Sequence, residues 1–234
     1  TRLLLLKEYL TGLCLHRLGN TLDHQRESML SIQAATKYAC NIEEGIWCDC
    51  QMMLLSLLVN SNGDIYSARR ICKELMYYYT QKNYAPFAQK GLYALKRKWS
   101  ALYSVEIAAQ KTEDSVSYFR NGLYPSQYLM ALNNHAANLI VLGDFAEAMK
   151  YLNEAIGALK KFQAVRVNRM YLLSNYCLCA VLSEALSPAD AYKKLLPIMN
   201  QREFGDWAII FRLNCAIYMA LAGEIDQAEE NLRT

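Results

Sequence analysis

The sequence is short of the residues that interrupt a chain. Only 4 prolines and 10 glycines are scattered through 234 residues, which leaves no low-complexity linker and predicts long, unbroken elements. There is no run of 18 uncharged apolar residues, so no apolar helix crosses a membrane. The LLLL at 3–6 is followed at once by Lys7 and Glu8, which suits a packed helix better than a signal peptide. Histidine is limited to His16, His24 and His135, too few and too scattered for a nucleophile–base arrangement. No glycine loop of the phosphate-cradling kind occurs. The net charge of +3 disfavours nucleic acid as a partner. No enzymatic activity, catalytic residue or cofactor is expected within this chain.

Eight cysteines stand out by number, but they too lack a pattern. There is no CxxC, only the CxC pairs CDC at 48–50 and CLC at 177–179. On a helix, positions two apart point to different sides, so neither pair makes a chelate and no metal site is expected. Free, mostly buried thiols in a reducing cytoplasm are the expectation, and with them a cytoplasmic location.

What the chain has in abundance is apolar residues, 53% of the total, set at a helical period. Phe145, Ala148, Met149, Leu152, Ala155, Ile156 and Leu159 step by 3, 1, 3, 3, 1 and 3, which makes one apolar face. Turn-like starts recur along the chain. LGDFAEAMKYLNEAI begins at Leu142, AGEIDQAEENL at Ala222, NGDIYSARRICKEL at Asn62 and LSPADAYKKLLPI at Leu186. Weaker copies begin at Leu18 and Gln110. In three of them an alanine (Ala68, Ala148, Ala228) lies five places after the turn glycine. Asp144 with Glu147, Ser187 with Asp190, and Asp64 with Ser67 form capping pairs. Small residues also centre the preceding helices: Ala136 and Ala137, Cys177 with Cys179 and Ala180, Cys215 and Ala216. Close helix crossings need such side chains. Strand patterns are absent. Pro86 to Ala109 reads as one long helix.

The unit of helix, short turn and helix resembles the tetratricopeptide repeat, most closely at 129–159 and 209–232. It is less close at 49–76 and 170–199, and weakest at 1–40 and 86–122. Turns fall roughly every 40 residues, against ~34 in that family. The resemblance implies an all-α protein, an α-solenoid (right-handed superhelix) of about six repeats over 1–40, 45–82, 86–122, 126–163, 168–201 and 205–234. It implies one array, 1–234. The chain starts without methionine and stops within a helical pattern, which reads as a fragment of a larger protein.

Asn134, Asn175 and Asn214 recur in three successive first helices, 41 and 39 residues apart. Asparagine is a mediocre helix former, so its return at one slot calls for a reason. In tetratricopeptide proteins the matching slot faces the concave groove, where an amide can bond the backbone of an extended peptide. The alternative is a bond to a neighbouring helix. Asn133 lies beside that slot, and Met130, Ile140, Tyr171 and Ile210 are its apolar neighbours. Lysines and arginines, which the carboxylate-clamp version of the family needs, are missing there, so an apolar or mixed protein surface is the expected ligand. His135 reads as a packed or surface histidine.

The 17 tyrosines, including Tyr77–Tyr79, serve half-buried helix edges or interface anchors. The basic clusters at 96–98, 69–70 and 160–169 read as solvated helix ends, or as contacts for an acidic partner. Degenerate repeats of ~40 residues with cytosolic thiols are similar to the C-terminal sensor regions of bacterial STAND NTPases, in which repeats bind a trigger and a separate domain oligomerises. This implies a protein-binding sensor, either antiviral or transcriptional, that would oligomerise through domains outside this chain. A constitutive scaffold for protein partners is the alternative.

Overall fold

The structure is a computed structural model that describes residues 2–18, 22–39, 43–59, 64–82, 86–98, 102–121, 123–162, 166–199 and 207–233. These residues form twelve helices and no strand. In chain order they are α1 (Arg2–Leu18), α2 (Leu22–Ala39), α3 (Glu44–Leu57), α4 (Ile65–Gln81), α5 (Pro86–Lys96), α6 (Val105–Phe119), α7 (Pro125–Leu142), α8 (Phe145–Phe162), α9 (Arg166–Leu182), α10 (Pro188–Met199), α11 (Trp207–Leu221) and α12 (Ile225–Arg233). The chain is all-α. It divides into two compact units, residues 1–102 and 103–234.

Within each unit, helices adjacent in the chain pack side by side. In the first unit α3 also touches α1 and α5; in the second, α7 also touches α9. Small side chains line the packed faces of these helices. Ala68, Ala148, Ala155, Ala191 and Ala228 are all buried, as are Ala136, Cys177, Cys179, Ala180, Cys215 and Ala216. Of the described cysteines only Cys14 is exposed, and all of them are free. Burial pushes the Cys177 thiol up to about 11 and the Cys215 thiol up to about 12, so both pack as neutral apolar groups.

The helix ends follow from backbone chemistry. At the end of α7 the N–H of Gly143 donates to Ile140 O and that of Asp144 to Leu139 O. At the end of α11 the N–H groups of Gly223 and Glu224 do the same to Ala220 O and Met219 O. Gly143 and Gly223 have φ of +82° and +87°, the left-handed conformation this double bond requires. Five helices then start in one way. The carbonyls of Asp64, Ser104, Asp144, Ser187 and Glu224 each accept from an alanine four residues on: Ala68, Ala108, Ala148, Ala191 and Ala228. The expected caps are present, with Asp64 Oδ1 accepting from Ser67 N at 3.0 Å, Asp144 Oδ1 from Glu147 N at 3.2 Å and Ser187 Oγ from Asp190 N at 3.1 Å.

The same double bond closes α9 without a glycine. Glu184 N donates to Val181 O and Ala185 N to Ala180 O, and Glu184 holds φ at +59°. The start read at Leu186 is therefore preceded by a turn two residues longer than the one at Gly143. A side chain in the left-handed region costs about 1 kcal/mol. Glu184→Gly should thus stabilise the protein by about that amount, read as a raised midpoint in urea denaturation. An unchanged or lowered midpoint would show that Glu184 supplies something other than backbone geometry.

Three readings of the sequence are corrected. Residues 86–109 are not one helix: α5 ends at Lys96, Arg97 and Lys98 form a turn, and α6 begins after Ser104. The stretch holds serines at 100 and 104, which favour helix starts over helix interiors. No turn opens at Gln110, because 110–119 continues α6. There Thr112 keeps its hydroxyl inside the helix by donating to Ala108 O at 2.8 Å. Arg97 and Lys98 are not a solvated helix end. Arg97 is 6% exposed and Lys98 Nζ lies 2.5 Å from Ser56 Oγ. Burial lowers the Arg97 guanidinium to about 10 and the Lys98 amine to about 8.

Candidate functional site

The recurrent asparagines sit on α7, α9 and α11, all in the second unit. Asn175 Nδ2 donates to Asn133 Oδ1 at 2.9 Å, and Asn214 Nδ2 donates to Ser174 Oγ at 2.6 Å. Asn133 and Ser174 hold one equivalent position, the residue before the slot. Each helix therefore donates an amide proton back to the helix one pair earlier. This gives the slot a structural use between neighbouring helices, and Asn134 is engaged as well. Each of these bonds uses one of the two N–H groups on the donor amide and leaves that amide's carbonyl oxygen for other partners. Ser174 was not legible as a participant: a serine in mid-helix carries no signal until its neighbour is known.

The apolar residues assigned to the groove separate into two kinds. Met130 is 37% exposed and Ile140 only 7%, so Ile140 belongs to the core and leaves the open surface to Met130. Tyr171 is half-buried, and burial pushes its phenol up to about 12, which keeps it a neutral donor. Ile210 lies on α11, but its side chain is outside the described residues. The surface around the amides also carries Leu213 and Ile217, 47% and 44% exposed on α11.

His135, beside the slot, is buried in a polar knot joining α6, α7 and α8. Its Nδ1 lies 3.1 Å from Ala109 O and 3.0 Å from Thr112 Oγ1. A carbonyl only accepts, so the contact with Ala109 places the proton on Nδ1. Asn138 Nδ2 donates to the same Thr112 Oγ1 at 3.1 Å, and Tyr151 meets the imidazole edge-on, 4.4 Å between centroids. Burial holds the imidazole below its ordinary range, against a smaller opposing pull from Glu113, Ala109 O and Glu147. His135 is a neutral packing residue. Asn138, a fourth asparagine that the periodic pattern passes over, is as buried as the histidine.

A second bracket ties the same three helices together. Arg120 donates to Glu154 through Nε at 3.2 Å and Nη2 at 3.0 Å, and Tyr128 Oη donates to Glu154 Oε1. Arg120 is half-exposed, so the ion pair adds little stability by itself; its fork aims the Glu154 carboxylate at the tyrosine. Among the described residues no group of three or more His, Cys, Asp or Glu could hold a metal, and no helix is long and apolar enough to cross a membrane. No protein-family model matches the chain, and no curated protein aligns with it significantly.

Proposed function

We propose that the chain is a protein-binding array of tetratricopeptide type, about six helix pairs wound as a right-handed superhelix, and that it serves as the target-sensing part of a larger STAND-type signalling ATPase. The observation that supports this reading is a shared unit. Three successive helix pairs of the second unit carry the same left-handed cap at Gly143, Glu184 and Gly223. Their first helices, α7, α9 and α11, are linked by the same amide bond at each step. Repetition of cap and link at one spacing is the mark of a modular binding scaffold. Its ligand is a folded protein surface or a peptide, met by the half-buried asparagines with Met130 and Tyr171 beside them.

The test compares the intact protein with Met130→Glu and Asn134→Ala variants in capture of its cellular partner. Both variants should keep the wild-type melting temperature, and Met130→Glu should weaken capture by about tenfold or more. Equal capture by the folded Met130→Glu protein would remove the groove from consideration. A partner that binds without altering nucleotide turnover by the full-length protein would point to a static scaffold instead of a sensor.

A further inference from the structure

The first unit carries a feature that the second does not share. Between Ile65 and Leu102 there are eight lysines and arginines against one carboxylate, Glu74. Part of this charge is committed inside the unit. Arg97 is buried, Lys98 is half-buried against Ser56, Lys82 pairs with Glu44 at 3.4 Å, and Arg69 Nε donates to Leu102 O at 2.6 Å. Of the four that remain, Lys90 and Lys96 lie on α5, and Arg70 and Lys73 lie on the exposed side of α4. Tyr66, Arg70, Lys73 and Tyr77 follow one another by 4, 3 and 4 residues, which places them on a single stripe. All four are exposed, and the rings of Tyr66 and Tyr77 are 86% and 70% open. The opposite side of α4 holds Ala68, Ile71, Cys72, Leu75 and Tyr79 in the core, so the stripe is not a by-product of loose packing. The carboxylates nearest it are Asp64, which caps the helix and feels Arg70, and Glu74.

We infer that this stripe of α4 is a docking surface for an acidic amphipathic helix of a protein partner. The argument is charge complementarity at matched spacing. Arg70 and Lys73 are one helical turn apart, so carboxylates three or four residues apart on a facing helix meet both at once. The two tyrosines flank the cations about 16 Å apart along the axis, at ~1.5 Å per residue. There they cover the apolar shoulders of such a helix and shield the ion pairs from water. Single-stranded nucleic acid fits less well, because it stacks successive bases on closely spaced rings along a channel, whereas these rings stand three turns apart on one helix. The inference does not depend on the asparagine-bearing helices of the second unit, and the two proposals fail independently.

The test is fluorescence anisotropy of the whole chain at low salt with a labelled helical peptide of ~20 residues carrying glutamates on one face. The wild type should bind it, with affinity falling as salt rises. Arg70→Glu/Lys73→Glu should weaken binding by about tenfold or more, and Tyr66→Ala/Tyr77→Ala by about fivefold. All variants should keep the wild-type circular-dichroism melt, since the four side chains are exposed. Unchanged binding by folded Arg70→Glu/Lys73→Glu overturns the proposal. So does equal binding of a peptide with the same glutamates spread around the helix, which would show charge attraction without a matched face. Tighter binding of an oligo-dT strand than of the helical peptide would reassign the surface to nucleic acid.

Discussion

Replacing His135 by alanine should destabilise the second unit by about 3 kcal/mol. The substitution removes a fully packed ring and leaves a cavity against Tyr151. It also strips Ala109 O and Thr112 of a partner inside the protein. The expected result is a lowered urea midpoint, with faster amide exchange concentrated in α6, α7 and α8. The pH dependence supplies a second, sharper readout. Burial depresses the folded-state affinity of His135 for a proton below the ordinary value of 6.5. Above that value both folded and unfolded chains carry a neutral imidazole, and the full contribution is present. As pH falls below 6.5, the unfolded chain takes up a proton that the folded chain resists, and the contribution is progressively lost. The gap in stability between wild type and His135→Ala should therefore narrow as pH falls through 6.5. A gap of constant size would mean that the folded and unfolded chains bind the proton equally well, and a gap that widens as pH falls would mean that the knot holds a charged imidazole.

Gly91→Ala should cost the first unit about 2 kcal/mol, although alanine is the better helix former by about 1 kcal/mol. Gly91 lies in α5 where that helix crosses α4, and a Cβ built there runs into the ring of Tyr79. That ring cannot withdraw. It is 3% exposed, its hydroxyl sits on the Cys48 thiol, and Tyr78 meets it edge-on with centroids 6.0 Å apart. Overpacking of this kind typically costs about 1–3 kcal/mol. A double-mutant cycle isolates the cause. Tyr79→Leu opens space, so Gly91→Ala should be nearly neutral or stabilising in that background. If Gly91→Ala raises the melting temperature of the wild type, α5 does not press on Tyr79 as closely as the structure has it.

The sequence revealed structure where a residue type has one physical job. Gly143 and Gly223 marked their turns because a left-handed cap favours glycine above all others. Asp64, Asp144 and Ser187 marked helix starts because their oxygens accept from orphan N–H groups. The left-handed cap of the third turn gave no mark for the same reason: Glu184 occupies the glycine position and sends no signal. The break between α5 and α6 escaped because the region around residues 97–104 has neither glycine nor proline, and basic and aromatic residues suit a helix as well as a turn. At the candidate site, the spacing of Asn134, Asn175 and Asn214 was legible and their partners were not. Spacing along one helix says which residues share a face; it does not say that Asn133 and Ser174 are the acceptors on the next. Arg97 and Lys98 were misread because charge alone predicts exposure, and only the fold shows Ser56 beside the amine.

The amide bonds between α7, α9 and α11 run in one direction, each donor reaching back to a polar acceptor at the preceding step. On α11 the acceptor position is taken by Leu213. A helix bearing the same asparagine, whether from this chain or from another copy of it, would meet a leucine in place of the oxygen that Asn133 and Ser174 offer, and an amide left unpaired there would cost about 1–3 kcal/mol. Helix order is thus written into the pairing itself. The amides favour the sequence α7, α9, α11 and penalise an extra copy of α7 or α9 added after it, a built-in brake on open-ended stacking of one molecule upon the next.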